Sequence, residues 1–352
     1  MNLVPVIDAI GEPATALAGG ALLGILFGVA AQRSAFCTRS AVLHAVRGGD
    51  LRALAVWAAG FAAAVLLVQS MIDGGALSVA ETRFFSSVQS LSGAAIGGLA
   101  FGVGMALTRG CVSRLTVLAA SGNLRALFCL VVVALAGWAA YAGILIPARD
   151  AVAGLWTTAS IGSNDLLAQA GYSNLAGVII GWALMFAALA VVIVSRVSWW
   201  RAVGGVLVGL AVAGGWWFTW QLSQQVFDPI QVESLSFVRP FATTLMLAIG
   251  ALDEAGWDQG LLIGVMFGAA LAAVLSGEFR IATFSEPGSP SILRYAIGAA
   301  LMGFGGILAV GCTVGAGLTG GAVLALASLS ALLAMAIGAA VTDRVVDTAP
   351  KG

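Results

Sequence analysis

Nine stretches of this sequence stay apolar for about the length that crosses a bilayer, and no other feature limits the fold as strongly. They run roughly 15–32, 51–71, 91–108, 123–146, 174–195, 201–220, 258–276, 291–310 and 323–342. A membrane-spanning helix needs ~20 mostly apolar residues, because the segment must satisfy its own backbone N–H and C=O groups once water is gone. Charge is correspondingly scarce: 9% of the 352 residues are charged and the formal net charge is zero, whereas a soluble domain carries ~25%. That balance excludes a cytosolic enzyme, which would need more charge to cover its surface. It also excludes a nucleic-acid binder, which would need a basic field. The expected fold is all-α: a polytopic membrane protein of about nine transmembrane helices, forming one transmembrane domain over 1–352.

The 47 glycines sit inside the apolar runs without a collagen period. Pairs such as Gly24/Gly28, Gly98/Gly102, Gly205/Gly209 and Gly264/Gly268 have the spacing of close helix–helix contact, not of phosphate binding. Trp199, Trp200, Trp216, Trp217 and Trp220 fall at span ends, where interfacial anchors are expected. The N-terminal residues carry two acids and no base before the first span, so a cleaved signal peptide is not expected.

Basic residues divide unequally between alternate connections. Arg33, Arg39, Arg47, Arg52, Arg109, Arg114, Arg125, Arg196, Arg201, Arg280, Arg294, Arg344 and Lys351 fall in one set, and only Arg83, Arg149 and Arg239 in the other. The positive-inside rule then puts the N-terminus outside and the C-terminus in the cytoplasm. Asp228, Glu233, Asp253, Glu254 and Asp258 share one outer connection.

Residues 98–111 (GLAFGVGMALTRGC) match 299–312 (AALMGFGGILAVGC), aligning Gly102 with Gly303, Gly104 with Gly305, Gly110 with Gly311 and Cys111 with Cys312. By span count these helices run in opposite directions, which predicts an inverted repeat with halves 15–146 and 174–342 and a site near the midplane. A second match, 24–31 to 264–271, pairs helices of the same direction, so a boundary or a re-entrant segment must account for the difference.

Three cysteines share a setting. Cys37, Cys111 and Cys312 each end a glycine-rich span just before a segment too short to cross, roughly 36–46, 112–121 and 313–322. A short helix starting there would turn its free N–H groups and positive dipole end toward the thiol. Gly110 and Gly311 would admit a substrate to the backbone, and Thr313 adds a hydroxyl. Cys129 lies mid-span without polar neighbours and reads as packing. Arg39, Arg109 and Arg114 flank the first two thiols, either as interfacial charges or as the lining of an inner vestibule. Gln32 and His44 are weaker candidates, and Glu278 and Arg280 could pair with each other. No C-x-x-C pair occurs, and neither a metal nor a cofactor is expected. A membrane thiol oxidoreductase or sulfurtransferase, and a plain channel, remain as alternatives.

With F-C-T-R-S-A upstream, G-x-G-x(5)-G-C twice and G-C-T-V-G-x-G-L-T-G at the second copy, the sequence resembles the YeeE/YedE family over about 15–130 and 255–342. Members include bacterial inner-membrane thiosulfate transporters, and some relatives are linked to selenium. The resemblance implies uptake of thiosulfate, or a similar small sulfur oxyanion, through a path lined by the motif cysteines Cys37, Cys111 and Cys312. It also implies a cytoplasmic TusA-like sulfurtransferase as a possible partner, with no nucleic acid.

Overall fold

The computed structural model describes residues 2–226, 230–286 and 289–347. Asp228 and Lys351, which entered the charge comparison, lie outside them. The chain opens with a short helix, α1 (Val4–Ile10), then α2 (Glu12–Ser34), α3 (Thr38–Gly48), α4 (Arg52–Asp73), α5 (Leu91–Leu107), α6 (Val112–Ala120) and α7 (Leu124–Tyr141). Two small helices follow, α8 (Ile146–Ala153) and α9 (Leu166–Gln169), then α10 (Asn174–Ser195), α11 (Trp199–Ser223), α12 (Val238–Ala248), α13 (Trp257–Leu275) and α14 (Ile292–Leu308). A π-helical segment, Thr313–Gly320, precedes the last helix, α15 (Leu326–Val346).

Nine helices among the described residues are long and apolar enough to span a membrane. The protein is an all-α, polytopic, multi-pass membrane protein. The three short segments expected after the cysteines are α3, α6 and the π-helical segment, and α12 is a further helix too short to cross. The expected fourth span, 123–146, ends earlier, at Tyr141. Gly143 lies in the break that follows, and a proline in the first turn of α8 starts a new helix there.

Glycine sets how the helices meet. Along α2, a Cβ at Gly24 would fall 2.5 Å from the Leu261 carbonyl oxygen, and one at Gly28 would fall 2.3 Å from that of Val265. On α13, a Cβ at Gly264 would sit 2.1 Å from the Ala21 carbonyl oxygen. These approaches are backbone to backbone, so no side-chain rearrangement could make room. The register advances in step, so α2 and α13 run in the same direction. Helices α5 and α14 run in opposite directions: Gly97 meets Gly305, and Gly104 meets Gly298. Both senses inferred from the two sequence matches therefore exist side by side.

Of the tryptophans expected at the interface, Trp199 and Trp200 are exposed at the start of α11. Trp216 is not an anchor. It is fully buried, and its Nε1–H donates to the Thr319 carbonyl 3.2 Å away, which fixes the π-helical segment against α11.

Candidate functional site

Cys37, Cys111 and Cys312 occupy the same local position. Each is the N-cap of a short segment, respectively α3, α6 and Thr313–Gly320, and each has extended backbone. Two residues before each cysteine the chain turns through the left-handed region, at Ala35 (φ 55°), Arg109 (φ 60°) and Val310 (φ 63°). These are three of the five non-glycine residues with positive φ among the described residues. A left-handed non-glycine residue costs roughly 1–2 kcal/mol, and Val310 is β-branched, which makes it the most strained. Hydrogen bonds fix two of these turns: Phe36 N–H donates to the Ala31 carbonyl at 3.1 Å and Gly110 N–H to that of Met105 at 3.2 Å. That is the pattern in which a helix stops and reverses. Strain of this kind concentrates where a site must hold an otherwise unfavourable shape.

All four cysteines are free thiols and all are buried. Cys37 and Cys111, distant in sequence, lie close enough for their thiols to interact, with Ser40 beside Cys37. The Cys111 sulfur is 3.3 Å from the Ser113 hydroxyl. Cys312 lies elsewhere. Its sulfur accepts from Gly315 N–H at 3.4 Å, and the backbone N–H groups of Phe237 and Val238, at the start of α12, also face it. Two helical N-termini therefore converge on one thiol. Gly311 is required next to it: its φ is 155°, and a Cβ there would fall 2.6 Å from the Ala316 nitrogen. Gly110 has no such restriction, since the nearest atom to a Cβ would be a Leu115 side-chain carbon at 3.2 Å. Thr313 is completely buried and its hydroxyl has no hydrogen-bond partner among the described residues.

The two ends of the bundle differ in charge. At the end reached by α3 and the α5–α6 turn, Asp343 accepts from Arg47 Nε and Nη2, both at 2.5 Å, and lies 3.7 Å from Arg39. One turn further along α15, Asp347 accepts from Arg294 at 3.0 and 2.9 Å and lies 3.8 Å from Arg109. The Arg294 hydrogen bonds hold the Asp347 carboxyl below its ordinary range. At the opposite end Arg83, Arg149 and Arg239 all line one cavity of about 500 Å³, whose wall includes Ser236, Val310 and Gly311. Burial works against the charge on Arg239, but Asp258 and Glu233 more than offset it and raise its pKa. Burial lowers that of Arg83, which packs over the Phe84 ring at 5.0 Å.

Residues 33–341, which include all three motif cysteines, match the family model described as sulphur transport. The chain belongs to this sulphur-transport family. It is similar to the thiosulfate transporter TsuA of Spirochaeta thermophila, at 27% identity over 91% of this chain and 96% of that protein. It is also similar to the thiosulfate transporter TsuA of Escherichia coli, at 32% identity over a shorter region, 34% of this chain and 32% of that one.

Within this sulphur-transport protein, the other residues singled out from sequence sort by their surroundings. Cys129 lies fully buried in α7 within the main apolar core. Glu278 and Arg280 do not pair with each other: Gln32 donates to Glu278 at 2.8 Å, with Arg33 at 4.0 Å, while Arg280 reaches Glu286 at 3.1 Å. Arg280 N–H donates to the Ser121 carbonyl at 3.1 Å, which ties its backbone to the end of α6. His44 stands 3.9 Å from Asp50 at the surface. Sequence reasoning treated Arg83, Arg149 and Arg239 only as topological markers. Their convergence on one cavity beside Gly311 had a signal in the sequence, since they are the whole of the minority basic set.

Proposed function

We propose that this protein takes up thiosulfate, or a closely related small sulfur oxyanion, along a path lined by Cys312 and then by Cys111 and Cys37. The observation that carries the reading is the placement of the thiols on two levels: Cys312 follows the glycine that borders the three-arginine cavity, and Cys37 with Cys111 lies toward the other charged end. Thiosulfate has a soft terminal sulfur and three hard oxygens. A neutral thiol offers a weak S–H donor to the sulfur, and converging backbone N–H groups suit the sulfonate. Several weak sites serve transport of a dianion better than one tight site, because the anion must leave as well as enter. The thiols act in their neutral form, since a thiolate beside a dianion would repel it.

In this reading the three-arginine cavity opens to the periplasm and gathers the anion. The Asp343 and Asp347 end faces the cytoplasm, where a TusA-like sulfurtransferase could receive the product. The membrane is the bacterial inner membrane, with the N-terminus periplasmic and the C-terminus cytoplasmic. The names of the two relatives, the sulphur-transport family of this chain and the 13-to-3 division of basic residues support this assignment. The test is growth of a sulfur-auxotrophic bacterium on thiosulfate as sole sulfur source. The gene should restore growth, and failure to do so with the protein present in the membrane would overturn the substrate.

A further inference from the structure

Seven arginines are half-buried: Arg39, Arg83, Arg114, Arg125, Arg149, Arg239 and Arg294. Five have a carboxylate partner, and Arg83 and Arg114 have none among the described residues. Arg83 belongs to the cavity already described. Arg114 is at the other end. It lies on the first turn of α6, three residues after Cys111, whose sulfur faces its backbone N–H. It also lies near Cys37. Its Nη1 is buried with no hydrogen-bond partner among the described residues. A buried guanidinium nitrogen without a partner is unfavourable by the desolvation of a charged donor. Arg39 Nε is likewise buried without a hydrogen-bond partner among the described residues, but the charge of Arg39 is met by Asp343, which is also bonded to Arg47, while Asp347 is bonded to Arg294 and close to Arg109.

We infer that Arg114 is the residue that holds the substrate anion at the Cys37–Cys111 level. Asp343 and Asp347 occupy the other arginines there, so that a single guanidinium faces the oxyanion. One unpaired charge binds a dianion firmly enough to draw it past the thiols. The vacant Nη1 supplies a charge-assisted hydrogen bond to a sulfonate oxygen, while the two thiols face the sulfur end. Arg39 and Arg109, equally close in sequence to the thiols, are positioning residues that tie their turns to α15.

The inference rests on the thiol-path reading and can fail separately from it. The experiment is binding of radiolabelled thiosulfate to the purified full-length protein, with initial uptake rates in proteoliposomes. Arg114→Gln should weaken binding by at least about tenfold, the usual loss when a charged hydrogen-bond donor is removed. Arg114→Lys should recover part of it, and Arg39→Gln should change affinity by less than about threefold. Unchanged affinity in Arg114→Gln, or an equal loss in Arg39→Gln, overturns the assignment. If Arg114→Gln does not fold, Arg114→Lys decides: wild-type affinity and salt dependence in that variant would contradict a directional guanidinium contact. Normal uptake by the cysteine variants would instead remove the path reading itself.

Discussion

Asp343, only 1% exposed, receives two 2.5 Å hydrogen bonds from Arg47. This contact fastens the last turn of α15 to α3, the helix that Cys37 caps. The turn that presents Cys37 is thus held from both sides, by the Phe36–Ala31 hydrogen bond before it and by the Asp343 pair after it. Truncation of the carboxylate leaves a half-buried Arg39 without its counter-ion. Asp343→Ala should destabilise the protein by about 1.5–3 kcal/mol, read as a fall in the thermal midpoint of the detergent-purified protein. A midpoint within a degree of wild type would show that α3 needs no such fastening.

Helix α2 meets α13 where Gly24, Gly28, Gly264 and Gly268 let the backbones touch. A side chain at Gly264 would have to occupy the space of the Ala21 carbonyl oxygen, 2.1 Å from its Cβ. Gly264→Leu should separate the helices and lower the yield of folded, monodisperse protein by severalfold, while Leu271→Ala on an exposed position of α13 should leave it unchanged. Equal yields from both variants would mean that this contact does not hold the pair together.

Much of this was legible in the sequence because membrane spans are set by length and apolarity alone, which need no knowledge of neighbours. The short segments after Cys37, Cys111 and Cys312 were legible for the same reason, being apolar yet too short to cross. The turns before them were not. Left-handed backbone is ordinarily announced by glycine or asparagine, and here Ala35, Arg109 and Val310 take it. Pairing of charge was equally hidden. Arg39 and Arg109 find their carboxylates on α15, more than two hundred residues away, and Glu278 takes Gln32 and Arg33 in place of nearby Arg280. Trp216 looked interfacial because tryptophans cluster on α11, but its place on the helix turns it to the core.

Access to the thiols tests the orientation. With the three-arginine cavity facing the periplasm, a membrane-impermeant thiol reagent added outside should modify Cys312 before Cys37, and thiosulfate should slow that reaction. Cys129, fully buried in α7, should resist from either side. Labelling of Cys37 from outside while Cys312 stays silent would reverse the assignment of the two ends.

The central claim is that three thiols, and not the fourth, carry the anion. The direct measurement is the initial rate of radiolabelled thiosulfate uptake by Cys37→Ala, Cys111→Ala, Cys312→Ala and Cys129→Ala, each corrected for the amount of folded protein. Removing one small side chain should cost no more than roughly 1–2 kcal/mol of stability, so the protein should still insert. Uptake should fall by at least about tenfold in the first three variants and by less than about twofold in Cys129→Ala. Near-normal uptake by both Cys111→Ala and Cys312→Ala, or a loss in Cys129→Ala as deep as theirs, would contradict it.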